Sequence, residues 1–309
     1  MKLNVLGVPL DLGAQRIGVD KSPQALRQRG FVEKLSGVGI SVEDMGDISC
    51  NFPKNLNFKN PNIKYVDEII DIVGKSMRHV EDVIKNNEKI VVLGGDHSIT
   101  LGNVSGASKA LDGNLGLIYI DAHGDLNTDK TTTTGNIHGM PLAALMGFGN
   151  NLLTSLGGFS PKIKKDHMLH IGGKDFDKGE LDLIQNEKLN LFTVFDILSY
   201  GLSPLLKKIK DLQCKTPKIW VSFDLDVVDK IYAPGVGIAN NGGLTYREIA
   251  AITEYIGKNC NVIGADIVEY NPTKDIGNKT AELAIEIAAK LFGSDYSDYT
   301  KYLDYHSVK

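Results

Sequence analysis

Short apolar segments alternate with longer segments of helical periodicity along most of this chain, and this alternation restricts the possible folds more than any other feature. We predict strands at residues 3–8, 40–45, 90–93, 115–120, 167–171, 191–195, 218–223 and 262–267. Helical patterns lie between them, at residues 23–33, 66–85, 99–110, 141–146, 180–187, 204–212, 245–256 and 279–291. Pro23 suits the first turn of its helix, with Ser22 as a candidate cap.

Several of the predicted strands are apolar on both faces, which is typical of a parallel sheet covered by helices on both sides. The pattern therefore predicts an α/β fold with a mostly parallel sheet of about eight strands. Alternation alone does not distinguish an open doubly wound sheet from a closed barrel. In either fold the functional groups lie just beyond the carboxyl ends of the strands.

Dense polar sequence follows three of the apolar strands directly. Residues 90–93 lead into Gly-Gly-Asp-His, residues 117–120 into Asp-Ala-His-Gly-Asp-Leu-Asn, and residues 219–223 into Asp-Leu-Asp. Because residues two apart in a strand point to the same side, the acidic and histidine side chains of each segment can converge. These side chains are His97, Asp121, His123, Asp125, Asp224 and Asp226.

Converging carboxylates repel one another, and each unpaired charge in a closed site costs several kcal/mol or changes its protonation state. Bound divalent cations are the simplest explanation for six such side chains in one place. Two imidazoles and four carboxylates without a thiolate suit Mn²⁺ better than structural Zn²⁺. Six side chains exceed what one catalytic ion with an open position needs, but they suffice for two ions about 3.5 Å apart. A lone Asp-x-Asp is usually a turn or a helix cap, so the prediction depends on all three segments together.

The sequence gives little support to other classes of protein. We find no Gly-x-Gly-x-x-Gly after a strand, no Walker-type loop, no Gly-x-Ser-x-Gly and no His-Glu-x-x-His. The chain has 34 Lys and Arg and 38 Asp and Glu, which gives a net charge of −4. Nucleic-acid-binding proteins usually carry a basic surface, so this charge does not favour that function. No apolar stretch is long enough to cross a membrane, and the N-terminus lacks signal-peptide features. Three scattered cysteines (Cys50, Cys214 and Cys260) form no disulfide framework, which favours a cytoplasmic location.

The three polar segments resemble those of the ureohydrolases, two-manganese enzymes that hydrolyse guanidino groups, and they are most similar to the arginase branch. The resemblance extends from Gly-Val-Pro-Leu-Asp-Leu-Gly at 7–13 and Arg-Ile-Gly-Val at 16–19 to Asn-Pro at 271–272 and Lys-Thr at 279–280. Between them lie Asn-Thr at 127–128, the threonine run at 131–134, Gly-Asn-Ile-His-Gly-Met-Pro at 135–141 and Gly-Gly-Leu-Thr-Tyr-Arg-Glu at 242–248. Agmatinases and formimidoylglutamases share the metal segments but usually lack the Asn-Thr and Gly-Asn-x-His-Gly-x-Pro stretches.

The resemblance implies two Mn²⁺ per subunit and hydrolysis of L-arginine to L-ornithine and urea by a hydroxide held between the metals. One ion would be bound by His97, Asp121, Asp125 and Asp224, and the other by His123, Asp121, Asp224 and Asp226. Asp121 and Asp224 would bridge the pair. It also implies a three-layer arginase-like fold, with residues 1–309 as one catalytic domain.

The resemblance also implies roles around the substrate. His138 would carry protons to the leaving amine, and Glu269 would face the guanidinium, which a carboxylate can pair through two hydrogen bonds. The α-carboxylate would be bound by Asn127, Thr134 and Asn136, and the α-ammonium by Asp177, with Glu180 assisting through water. Without the resemblance, His138 is equally well interpreted as a loop histidine that caps a helix. Asp177 is then better interpreted as a helix cap, and Glu269 as a solvated loop acid.

This sequence departs from the arginase pattern at several positions near the implied substrate site. Thr134 stands where Ser is more common, Lys174 stands where Arg is expected, and Lys230 replaces a usual Pro. The segment Ile-Ala-Asn-Asn at 238–241 replaces Thr-Pro and two apolar residues. Because Ile238 cannot make the hydrogen bond of a threonine, we hypothesise that it lowers arginine turnover without abolishing metal binding.

Two further expectations concern assembly and alternative functions. The polar segment 294–309 carries Tyr296, Tyr299, Tyr302 and Tyr305 at intervals of three, and it is interpreted either as a helical stripe meeting a neighbouring subunit or as a polar tail. The resemblance implies a homotrimer or homohexamer with no nucleic-acid or membrane partner. The alternatives are a hydrolase of another guanidino compound, of agmatine or guanidinobutyrate type, and a non-catalytic metal-binding relative.

Overall fold

The computed structural model describes residues 2–15, 17–50, 52 and 56–293. Arg16 and the tyrosine-containing segment 294–309 lie outside the described residues. The eight strands form one sheet in the order β2-β1-β3-β8-β7-β4-β5-β6, and every pair of neighbours in it is parallel. The strands are β1 Lys2–Val8, β2 Ser41–Asp47, β3 Lys89–Gly94, β4 Gly116–Ile120, β5 Met168–Ile171, β6 Leu191–Phe192, β7 Ile219–Asp224 and β8 Val262–Val268.

Helices cover both faces of this open sheet, so the predicted three-layer α/β fold is confirmed. The α-helices of the described residues are α1 Ser22–Gln28, α2 Phe31–Gly37, α3 Val66–Lys85, α4 Thr100–Ala110, α5 Pro141–Leu145, α6 Asn151–Thr154, α7 Lys178–Glu187, α8 Val194–Tyr200, α9 Ser203–Lys215, α10 Tyr246–Asn259 and α11 Lys279–Leu291.

Alternate residues of the central strands pack into two apolar layers on opposite faces of the sheet. Val91 and Leu93 belong to one layer, whereas Trp220 of β7 belongs to the other. Each central strand is buried on both faces, which explains why its sequence is continuously apolar rather than alternating. This double burial fixes the strands rigidly and leaves their carboxyl ends as the place for polar groups.

Three details of the predicted elements are wrong. The strand predicted at 191–195 ends at Phe192, because Thr193 caps α8 by accepting a hydrogen bond from the Asp196 N–H at 3.1 Å. The helix predicted at 23–33 is two helices, since Gly30 adopts a left-handed φ of 80° and starts a second one. Ser22 is the first residue of α1 rather than its cap.

The strand order places the functional segments side by side. β3, β8, β7 and β4 are consecutive in the sheet, so their carboxyl ends meet at one edge. The polar segments that follow these four strands therefore share one site. Among the described residues, no helix has the length and apolar character that crossing a bilayer requires.

Candidate active site

The imidazole of His97 lies at the centre of three carboxylates. Its Nδ1 atom is 2.9 Å from Asp121 Oδ2, 3.0 Å from Asp125 Oδ2 and 3.2 Å from Asp224 Oδ2. These side chains are almost completely buried. The segments after β3, β4 and β7 therefore meet in one cluster, as their sequences predict.

A second cluster adjoins the first and shares Asp121 with it. His123 Nδ1 lies 3.4 Å from Asp121 Oδ1 and 3.1 Å from Asp226 Oδ2. The two oxygens of Asp121 thus face different histidines. Ligand atoms of His97, Asp121 and Asp125 form one group able to hold a cation, and those of Asp121, His123 and Asp226 form another.

Local backbone hydrogen bonds turn the strand ends so that these side chains converge. Asp121 accepts a bond from the His123 N–H at 2.7 Å, and Asp224 accepts one from the Asp226 N–H at 2.8 Å. Aspartate favours such turns because its short side chain reaches the backbone two residues on. Asp125 adopts a left-handed φ of 51°, which returns its side chain to the cluster.

The electrostatics of these clusters fit cation binding. Burial, together with the charges of Asp226 and Asp121, raises the pKa of Asp224 well above its usual range. Burial also raises the pKa of Asp226 to about 6, although His123 opposes this. Burial lowers the pKa of His97, but the carboxylates around it outweigh this effect and hold the value well above that of free histidine. Without a metal, the positive charge of the protonated imidazoles offsets the negative charge of the carboxylates.

Within the described part of the chain, three buried atoms at the clusters have no hydrogen-bond partner: His97 Nδ1, Asp121 Oδ2 and Asp226 Oδ1. Buried polar atoms are normally satisfied, so unsatisfied atoms aimed at one space indicate a missing ligand. Their chemistry, imidazole nitrogen and carboxylate oxygen, suits divalent Mn²⁺. The residues present therefore fit the metal group that the sequence predicts.

A buried hydrogen-bond network below the site orients His97. Its Nε2 atom lies 2.9 Å from the Ser222 hydroxyl, which donates to Asp266 at 2.6 Å. Asp266 also accepts from Thr100 at 2.7 Å and from the indole of Trp220 at 2.7 Å. Such outer partners fix the ring of a metal-binding histidine, so this network leaves Nδ1 for the metal.

Tyr119 is a second supporting residue that sequence reasoning missed. Its hydroxyl donates to Asp125 Oδ2 at 2.5 Å, and its ring stacks on His97 with a centroid separation of 4.6 Å. A tyrosine inside an apolar strand is indistinguishable from a core residue in one sequence. The only signal was its position two residues before Asp121, because that spacing puts it on the same side of β4.

His138 and Glu269 lie together beside the first cluster. His138 Nδ1 is 3.4 Å from Glu269 Oε1, and the same oxygen accepts a bond from the His97 N–H at 2.9 Å. Burial lowers the pKa of His138, but the adjacent Glu269 overcomes this and raises it to about 9. His138 therefore carries a proton near neutral pH. Glu269 has a left-handed φ of 63°, a strained conformation of the kind that concentrates at functional sites.

The residues expected to bind substrate line one cavity above the clusters. Its walls include His138, Glu269, Asn127, Thr134, Asn136, Asp177, Glu180 and Ile238. Asn127 donates to Asp177 Oδ2 at 2.7 Å, so the groups expected for the two ends of the substrate adjoin one another. Asp177 is also the N-cap residue of α7. The same residue therefore caps a helix and lines the cavity.

Glu180 has a structural contact that the sequence does not predict. Its Oε1 accepts a bond from the Leu126 N–H at 2.9 Å, and its Oε2 accepts one from the Asp177 N–H at 2.7 Å. Burial raises its pKa to about 7. Glu180 therefore links the loop after β4 to the start of α7 and positions both walls of the cavity.

Three of the four departures from the arginase pattern, at residue 174, at residue 230 and in the 238–241 segment, are joined by hydrogen bonds. Ile238 lines the cavity with about half of its side chain exposed, at 49%. Lys174 donates to the Asn241 carbonyl at 2.5 Å, which ties the 238–241 segment to the loop after β5. Lys230 is bonded through its backbone N–H to the Asn240 carbonyl at 3.0 Å. Lys174, Lys230 and the 238–241 segment are thus linked to one another.

A parallel sheet with histidine and aspartate clusters at the ends of its central strands defines an α/β protein with a candidate metal site. A model of the arginase family matches residues 1–293. Arginase from Brevibacillus brevis is 40% identical over 292 residues, covering 94% of this chain and 97% of that protein. The chain belongs to the arginase family and is an amidinohydrolase.

Solved structures agree with this assignment. The native structure of arginase from Bacillus caldovelox matches with a TM-score of 0.91 and 38% identity, over 96% of this chain and 99% of that one. Entamoeba histolytica arginase in complex with L-ornithine matches with a TM-score of 0.86 and 29% identity, over 94% of this chain and 98% of that one.

Proposed function

We propose that this enzyme hydrolyses L-arginine to L-ornithine and urea, with two Mn²⁺ per subunit. The observation that carries the proposal is the sharing of Asp121 between two adjacent clusters of potential ligands. A shared carboxylate is how a protein holds two cations close together. The Entamoeba histolytica relative in complex with L-ornithine supports the choice of substrate.

The geometry supports one set of residues around each proposed metal. His97, Asp121, Asp125 and Asp224 surround one position, and His123, Asp121 and Asp226 surround the other. We assign Asp224 as a second shared carboxylate, as the resemblance implies. When bound, Mn²⁺ would lower the pKa of a bound water enough to supply hydroxide near neutral pH. The protein contributes a buried set of ligands whose orientation is fixed by Ser222 and Tyr119.

The remaining residues would place the substrate and move a proton. Glu269, at the inner end of the cavity, would pair with the cationic guanidinium. His138, protonated near neutral pH with its pKa of about 9, would donate its proton to the leaving amine. Because His138 lies 3.4 Å from Glu269, the guanidinium and the proton donor would be adjacent.

The outer part of the cavity would recognise the amino-acid end of the substrate. Asn127, Thr134 and Asn136 would bind the α-carboxylate, and Asp177 would bind the α-ammonium. A decarboxylated analogue such as agmatine leaves the carboxylate-binding groups unpaired, which discriminates strongly between substrates. The substrate would therefore be an amino acid rather than an amine.

One alternative function has a specific observation in its favour. Ile238 gives the mouth of the cavity an apolar side chain, and this favours a guanidino substrate other than arginine, of agmatine or guanidinobutyrate type. A non-catalytic relative is disfavoured because His138 and Glu269 accompany the full set of potential ligands in one cavity.

A urea-release assay on arginine, agmatine and guanidinobutyrate with added Mn²⁺ tests these functions. We expect urea from arginine, with equimolar ornithine, and little from the other two compounds. Urea mainly from agmatine or guanidinobutyrate contradicts the choice of substrate. No urea from any compound contradicts catalysis of this class. The variant Glu269→Gln controls for contaminating activity, since it keeps the ligand set but weakens the guanidinium pair.

We also propose a cytoplasmic location and assembly into a homotrimer or homohexamer. The exposed apolar side chains of Phe195, Leu198 and Tyr200 on α8 support contact between subunits, because soluble monomers rarely expose large apolar side chains together. Light scattering during size-exclusion chromatography measures the assembly directly. A monomer at micromolar concentration contradicts it.

A further inference from the structure

Gln15 lies at the edge of the candidate active site in an unusual backbone conformation. Its φ is 60°, in the left-handed region that glutamine rarely adopts, and its side chain is exposed. The residues before it are firmly held, because the N–H groups of Gly13 and Ala14 donate to Asp96 Oδ2 at 2.8 and 3.2 Å. A strained residue on a well-anchored loop beside a cavity indicates a functional role.

The side chain of Gln15 reaches across to a residue of the cavity wall. Its Nε2 donates to Asn136 Oδ1 at 2.7 Å, a contact between residues 121 positions apart in the chain. A side-chain amide has one acceptor and one donor end. Because Gln15 occupies the acceptor end of Asn136, the NH₂ end is left for a ligand in the cavity.

Two other residues of the cavity wall, Thr134 and Asn127, also have an oxygen that accepts a hydrogen bond within the protein. The Thr134 hydroxyl oxygen accepts a bond from the Asn136 N–H at 3.2 Å, which leaves its hydrogen to donate. The Asn127 Oδ1 accepts a bond from the Thr131 hydroxyl at 3.0 Å. Asn136 and Thr134 therefore each keep a hydrogen-bond donor for the cavity, and such donors suit an anionic group such as a carboxylate.

We propose that Gln15 is a positioning residue that fixes the amide of Asn136 with its NH₂ group toward the substrate carboxylate. The inference rests on the proposed function, because it assigns Asn136 to that carboxylate. Gln15 itself touches neither the metal ligands nor the reacting atoms. Its loss should weaken binding of substrates that carry the carboxylate and leave the chemical step unchanged.

Two variants separate the effect of the side-chain hydrogen bond from the effect of the strained backbone. Gln15→Met keeps the length of the side chain but removes the hydrogen bond. Gln15→Asn suits the left-handed backbone better, yet its side chain is one methylene too short to reach Asn136. We expect both variants to raise KM for arginine about fivefold, the effect of losing one hydrogen bond, with kcat nearly unchanged. The matched control Gln28→Met, at an exposed glutamine ending α1, should leave both constants unchanged.

A double-mutant cycle tests whether Gln15 acts through Asn136. In the Asn136→Ala background, Gln15→Met should cause no further rise in KM, because the amide it orients is gone. A thermal melt accompanies each variant, and Gln15→Asn should be at least as stable as the wild type. A purely structural role for Gln15 predicts the opposite pattern, with KM recovering in Gln15→Asn and falling stability in Gln15→Met.

The outcomes distinguish this inference from the proposed function. If the wild type forms no ornithine from arginine, the proposed function is wrong and the carboxylate role of Gln15 falls with it. If the wild type is active but KM for arginine is unchanged in Gln15→Met, or rises equally in the Asn136→Ala background, only the role of Gln15 is wrong.

Discussion

The Oδ2 atom of Asp121 lies 2.9 Å from the Nδ1 atom of His97, yet neither atom has a hydrogen-bond partner among the residues that the structure describes. The other oxygen of Asp121 lies 3.4 Å from His123. The two oxygens of this one carboxylate thus face two different histidines. This arrangement is the structural reason for proposing two cations rather than one.

Substitution of Asp121 should affect both metals, whereas substitution of Asp226 should affect one. Asp226 belongs only to the cluster of His123, and Asp121 belongs to both. After dialysis against Mn²⁺, metal analysis should find two ions per chain in the wild type, one in Asp226→Asn and less than one in Asp121→Asn. Equal metal content in the two variants contradicts the shared role of Asp121.

Ser222 should control metal affinity through His97. Removing the hydroxyl in Ser222→Ala frees the imidazole to rotate, and loss of such an outer partner weakens metal binding about 10- to 100-fold. The control is Ser105→Ala, a buried serine that donates to the Leu101 carbonyl within α4. Trp220, the only tryptophan of the chain, donates to Asp266 in the same network, so its fluorescence offers a readout of binding. Unchanged affinity in Ser222→Ala would falsify the positioning role.

Metal affinity should rise with pH. Carboxylates hold the pKa of His97 and of His123 above that of free histidine, so both imidazoles are protonated in the metal-free chain near neutral pH. A metal needs the neutral imidazole, and its binding therefore releases protons. Calorimetry in buffers of different ionisation enthalpy, from about pH 6 to about pH 8.5, should show proton release and tighter binding at higher pH. Affinity that is independent of pH contradicts this description of the clusters.

Ile238 should limit turnover or substrate fit. A threonine at this position in the cavity wall could add one hydrogen bond near the substrate, and a bond of about 1 kcal/mol corresponds to roughly a fivefold gain in kcat/KM. Steady-state kinetics of Ile238→Thr with arginine measures this gain. Ile231→Thr is the matched control, because Ile231 is also exposed but lies outside the cavity lining. If kcat and KM are unchanged in Ile238→Thr, the hypothesis about this residue should be dropped.

The strands and the residues of the candidate site were predictable because their signals are local. A strand buried on both faces is continuously apolar, and the polar residues at its end stand out against it. The segments containing His97, Asp121 and Asp224 were therefore found from sequence, and the strand order brings them together. Similarly, α3 at Val66–Lys85 has the predicted bounds, because its apolar face repeats over five turns.

The supporting contacts were not predictable because they join residues that are distant in sequence. Ser222 and Asp266 are partners in the register of β7 and β8, which sequence periodicity does not specify. The bond from Gln15 to Asn136 likewise depends on how two loops are anchored. Helix α8 was missed for a different reason. The start of this helix is fixed by reciprocal capping bonds between Thr193 and Asp196, and these bonds outweigh the strand propensity of residues 191–195.

The proposed activity is arginine hydrolysis that depends on two Mn²⁺ ions held at these clusters. The most direct test removes metal with a chelator and then follows ornithine formation while Mn²⁺ is added stepwise to a concentrated sample. We expect no ornithine without metal and a rate that increases until two equivalents per chain are bound. A rate that saturates at one equivalent, or ornithine formation by the metal-free protein, contradicts it.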